Sequence, residues 1–151
     1  MLFVISNLQA QSSVKQPEQV AVVEEAPIVV DLSPIGINAT IKAPAFVKAI
    51  AGEWSNSIVG GNNFEISVEE TTSDFAGTLN KIKADPANTI LQTSDKAFMY
   101  KSTMMGREMA HFECVLPIGN KIYRFYDKRV VPLDEKGILP MYSAIITIKE
   151  K

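Results

Sequence analysis

Met99, Met104, Met105, Met109, His111 and Cys114 fall within 16 residues of this 151-residue chain. Thioether and imidazole groups are soft ligands that suit Cu(I). If segments 97–102 and 108–116 pair as a hairpin, Met99 and His111 approach each other. Strand alternation puts Met109, His111 and Glu113 on one face. Met99, Met109 and His111 are therefore the candidate metal ligands, with Met104 and Met105 partly exposed at the turn. The competing reading is methionine as core filler and helix cover.

Other chemistries find less support. His111 is the only histidine, so a Ser/His/Asp triad would have to use it, and no particular nucleophile is indicated. Cys114 is three residues from His111, which places the two on opposite strand faces and disfavours a dyad. Beside Phe112 and Leu116, Cys114 reads as a buried, unreactive thiol. Glu69-Glu70 and Asp134-Glu135 are adjacent pairs and read as solvated charge. Gly60-Gly61-Asn62-Asn63 is not followed by a helical pattern, so it is a hairpin turn and not a phosphate cradle. Tyr100, Tyr123, Phe125 and Tyr126 lie near Arg107, Arg124, Lys128 and Arg129. Aromatics beside arginine suit a binding surface, which makes Tyr100, Arg107, Tyr123, Arg124 and Tyr126 the candidate ligand contacts.

Composition narrows the classes further. Apolar residues make up 46% and charged residues 21%, as in a globular domain. Fifteen basic residues face 17 acidic ones, so neither a strongly basic nucleic-acid binder nor a charge-driven disordered chain is expected. The acidity belongs to the N-terminal end: residues 1–33 hold one Lys and four acids, whereas the remaining 118 are nearly neutral. A single Cys excludes an intramolecular disulfide framework. No run approaches the length of a membrane-spanning helix.

The elements that must position these side chains follow from periodicity. Residues 2–5 are apolar and Ala10-Gln11 resembles a signal-peptidase site, so 1–10 reads as a signal-peptide remnant. Residues 11–32 read as a flexible spacer, although the apolar patch 26–32 could dock as an edge strand, and 33–151 as one domain. Strands are predicted over 37–43, 55–58, 64–69, 97–102, 108–116 and 121–127, with 89–92 a weaker one. Phe46, Val47 and Ile50 suggest one helical turn. Ser73 and Asp74 open a helix over 74–84 with Phe75, Leu79 and Ile82 on one stripe. Pro117 is read as ending its strand. Pro140 is placed at the first turn of a second helix whose face carries Ile138, Met141, Ile145 and Ile148, although the β-branched run Ile145-Ile146-Thr147-Ile148 argues for a strand instead. The expected fold is α+β, an antiparallel sheet of about five to six strands covered by helices.

Three stretches carry a family resemblance: Ser33-Pro34-Ile35-Gly36-Ile37-Asn38-Ala39-Thr40-Ile41-Lys42-Ala43-Pro44, Asn63-Phe64-Glu65-Ile66, and Gly119-Asn120-Lys121-Ile122-Tyr123. They resemble uncharacterised exported proteins of Gram-negative bacteria with a PsbP/Mog1-like α/β/α sandwich. The resemblance implies a binding or assembly role and transfers no catalytic residue. The chain is thus expected to be a non-catalytic exported module, periplasmic or secreted, without a cofactor. Its partner is expected to be a protein or small ligand, not a nucleic acid. Soft-metal binding and a small hydrolase are the alternatives.

Overall fold

The longest run of alternating residues, centred on Ala110, Phe112 and Cys114, forms the middle of the molecule. A computed structural model describes residues 25–61, 63–128 and 132–151. In chain order these form β1 (Ile28–Asp31), a 3-10 turn (Ser33–Ile35), β2 (Ala39–Ala43), β3 (Lys48–Ile50), β4 (Asn56–Val59), β5 (Glu65–Thr71), α1 (Phe75–Ala84), β6 (Asn88–Thr93), β7 (Ala97–Met104), β8 (Arg107–Ile118), β9 (Lys121–Asp127), α2 (Glu135–Ile145) and β10 (Lys149–Glu150). The fold is α+β and mostly sheet. A seven-stranded sheet runs β3-β4-β5-β9-β8-β7-β6, and a three-stranded sheet runs β1-β2-β10. All pairings are antiparallel.

The expected five to six strands become seven plus a second sheet for identifiable reasons. Residues 48–50 are a strand and not a helical turn, because Ala49 pairs with Ile58 of β4. Residues 28–31 pair with β2, and Leu32 is fully buried, so the fold begins before the expected boundary at Ser33. Here the apolar patch docks as an edge strand, and sealing Val30 and Leu32 from water outweighs its ordering cost. The expected signal-peptide remnant and most of the spacer lie outside the described residues.

Two-residue turns set the register of the central strands. Met105 (φ 52°) and Gly106 (φ 75°) join β7 to β8 with Met104 opposite Arg107. Positive φ at both positions matches the twist of the flanking strands. Gly119-Asn120 joins β8 to β9 with Ile118 opposite Lys121. Pro117 does not end β8; it faces Ile122, one residue before the strand's last, near the hairpin end.

One face of the large sheet meets α2 and the small sheet across the main core. Ile58, Ile66, Phe112, Cys114 and Phe125 pack there with Ile37, Ile41, Ile138 and Met141. The second helix starts earlier than expected, at Glu135, because the Asp134 carboxylate accepts the Gly137 N–H at 2.7 Å. Pro140 therefore sits inside the helix and not at its first turn. Its side is exposed, where the carbonyl it leaves unpaired can be hydrated. The helix ends at Ile145, so Ile148 lies beyond it, in the turn that leads to the return strand β10; in that turn Thr147 Oγ1 accepts the Lys42 N–H at 2.8 Å.

The opposite face of the sheet carries α1. Asp74 caps it by accepting the Gly77 N–H at 2.8 Å. Phe75 stands edge-on to Phe98 of β7, with ring centroids 5.9 Å apart. Among the described residues no helix is long and apolar enough to cross a membrane.

Candidate functional site

The alternation of β8 sends Ala110, Phe112 and Cys114 into the main core, and Met109, His111 and Glu113 to the α1 side. Tyr100 and Ser102 of β7 project to that same side, because the turn register sets Tyr100 opposite His111 and Ser102 opposite Met109. A cavity of about 380 Å³ results, lined among others by Lys81, Asn88, Ser102, Met104, Met109 and His111.

The strand β9 ends at Asp127, whose side chain lies behind the imidazole that lines the cavity. Beyond that point the carboxylate of Asp127 takes the place of a strand partner: Oδ1 accepts the Phe112 N–H at 3.0 Å. Further along, the Leu133 carbonyl accepts the Ala110 N–H. The other carboxylate oxygen, Oδ2, lies 2.8 Å from His111 Nδ1, and His111 Nε2 lies 2.9 Å from Ser102 Oγ. A carboxylate only accepts, so the neutral imidazole carries its proton on Nδ1. Its Nε2 lone pair then points at the Ser102 hydroxyl and the cavity. His111 and Asp127 are both buried, at 5% and 4% exposure, so water does not compete for this contact. The Tyr100 ring lies against the imidazole, centroids 5.0 Å apart, and fixes its plane.

The expected metal set does not assemble. Met99 faces Phe112 across the hairpin and is buried in the main core, on the other side of the sheet from His111. A one-residue offset in an antiparallel pair moves a side chain to the other face. Met109 and His111 do share the cavity, and Met104 joins them in place of Met99. Among the described residues no group of three His, Cys, Asp or Glu side chains could hold a metal ion.

The expected ligand contacts are divided as well. Tyr100 is buried beside His111. Arg107 is exposed at the hairpin end. Tyr123 packs against the main core on the opposite face. Arg124 and Tyr126 belong to a second polar network on the α1-side face. There the Arg124 guanidinium forks onto the fully buried Glu113, Nε to Oε2 and Nη2 to Oε1, both at 2.5 Å. Its Nη1 donates to Glu69 at 2.9 Å, and its guanidinium lies 4.2 Å from the Tyr126 ring centroid. The hydrogen bonds it donates to Glu113 hold Arg124 charged beyond its ordinary range. Partial burial, with the nearby Glu69 charge, raises the Tyr126 phenol. These residues are spent on one another.

Cys114 behaves as its alternation implies. Burial pushes its thiol up to about 12, which leaves it protonated and inert at neutral pH. A larger depression, about 660 Å³, lies between residues 43–46 and α2, lined in part by Phe46, Pro140 and Ala144. Its polar side chains are Glu25, Lys42, Ser143 and Thr147, and it contains no His, Cys or Met. The smaller cavity beneath α1 holds the chemistry.

Ser102 and Asp127 are the site residues that sequence reasoning missed. Counting back from the Met105-Gly106 and Gly119-Asn120 turns would have placed both near His111. This is an α+β antiparallel-sheet protein whose one polarised histidine faces a cavity. No protein-family model matches the chain, and no curated protein or solved structure does either.

Proposed function

We propose that this chain is a non-catalytic binding module whose ligand occupies the cavity beneath α1. The observation that carries the reading is the buried Asp127–His111 pair, which orients the other ring nitrogen, an acceptor in the neutral ring, toward that cavity. Fixing a buried polar group in one tautomer costs conformational freedom, and the gain is a preset acceptor for whatever enters.

The Ser102–His111–Asp127 chain has the order of a hydrolytic triad, which brings the small-hydrolase reading forward. Its surroundings favour binding. Acyl transfer needs donors aimed at the developing oxyanion. Ser102 sits in a strand bonded on both sides, opposite Asn88 and Met109, and the next N–H, that of Thr103, is donated to the Ala87 carbonyl. A PsbP/Mog1-like sandwich is consistent with helices on both faces of the sheet, and export with the Ala10-Gln11 pattern; both belong to this reading.

The test uses the full chain with ¹³C-methyl methionine and a fragment set of small carboxylates, amines and phenols. Fragments that bind should shift the Met104 and Met109 methyls and leave Met99 still. Shifts confined to Met141 would overturn the cavity reading. Hydrolysis of a p-nitrophenyl ester that disappears in Ser102→Ala would overturn the non-catalytic part.

A further inference from the structure

We propose that the cavity's ligand is Cu(I), bound by the thioethers of Met104 and Met109 and by Nε2 of His111. The inference rests on the cavity reading and names its ligand. All three side chains line the same cavity. Met109 and His111 are two apart on β8, and so on one face about 7 Å apart at the backbone. Met104 is the diagonal cross-strand neighbour of Met109, since Ser102 pairs with Met109 and Met104 with Arg107. Diagonal neighbours are about 7–8 Å apart, within reach of long side chains.

The buried pair beneath supports a metal more directly than it supports a nucleophile. Histidine ligands commonly donate their other ring N–H to a carboxylate, which fixes the tautomer and raises the basicity of the ligating nitrogen. Asp127 does this at Nδ1, 2.8 Å away, and leaves Nε2 as the donor atom. Ser102 Oγ contacts Nε2, and a hydroxyl can rotate away without moving the strand.

The donor set also selects the ion. Two thioethers and one imidazole are soft, and thioethers favour Cu(I), whereas Zn(II) sites are built from Cys, His and carboxylates. Lys81 and Asp85, of opposite charge, also line the cavity, so its fixed side-chain charges cancel each other. Met104 is 61% exposed, which gives the ion a route in. Such exposure of a thioether that lines the same cavity as a buried imidazole is not core packing.

The test is anaerobic competition of the full chain against the Cu(I)–bicinchoninate complex. The chain should withdraw one equivalent of copper, and excess Zn(II) should not displace it. Met104→Leu with Met109→Leu, a volume-conserving pair, should weaken binding by at least about tenfold while the far-UV spectrum stays native. Met105→Leu should change nothing. Untouched chelate, undiminished binding by the double variant, or loss on Met105→Leu would each overturn the proposal. Fragment shifts at Met104 and Met109 without copper withdrawal would sink the copper assignment alone. Absence of both would sink the cavity reading with it.

Discussion

Two polar networks share the α1-side face of the large sheet, and they end differently. Around Arg124 every group closes on another: Glu113 takes the fork, Glu69 takes the third donor, and Tyr126 stacks beneath. Around His111 the chain of contacts runs from Asp127 through the ring to Ser102 and stops at a cavity. A closed network stabilises and specifies packing. An open one leaves an oriented acceptor for something else. That difference separates scaffold from site on one continuous surface.

The largest effect should come from breaking the closed network. Arg124→Met deprives the fully buried Glu113 carboxylate of its bidentate partner and should cost about 3–5 kcal/mol in urea unfolding. Methyl shifts of Met104 and Met109 should stay in place, since that network does not reach the cavity. If they move, the two networks are one unit.

Asp127→Asn should cost less, about 1–3 kcal/mol, through the imperfect replacement of contacts to His111 Nδ1 and the Phe112 N–H. Its sharper readout is the imidazole ¹⁵N spectrum. An amide N–H₂ facing Nδ1 should drive the ring to the tautomer protonated at Nε2, and so abolish the open acceptor. An unchanged tautomer would show that Asp127 does not set the ring's state.

Ser102→Ala should have the smallest effect, about 0.5–1.5 kcal/mol, because water entering the cavity can replace the hydroxyl at Nε2. Copper affinity should be unaltered. A loss as large as that of Arg124→Met would mean the His111 network is closed after all, and the contrast between the two would fall.

Local chemistry made much of this legible. The Asp74 cap and the Phe75, Leu79, Ile82 stripe located α1 to within a residue at its start. Strict alternation identified the core side of β8 and sent His111 to the other side, as observed. The short elements were harder. Three residues of β3 carry no period of their own and become a strand only because Ala49 meets Ile58. Pro140 signalled a helix start, yet the Asp134 cap upstream set the boundary. Met99 misses His111 because face depends on register, and the two-residue turn pairs Met99 with Phe112 instead.

By itself the sequence determined the class of fold, the burial of Cys114, the one available imidazole and the face it occupies, because each follows from residue type and period. Only the tertiary structure decided what that imidazole touches. Asp127 reaches it because β9 ends there and a carboxylate substitutes for the missing strand. Ser102, Met104 and Met109 surround it because two tight turns fix the register of three strands. Contacts between distant positions are set by pairing geometry, and a period of two residues says which face a side chain takes but never which neighbour it meets.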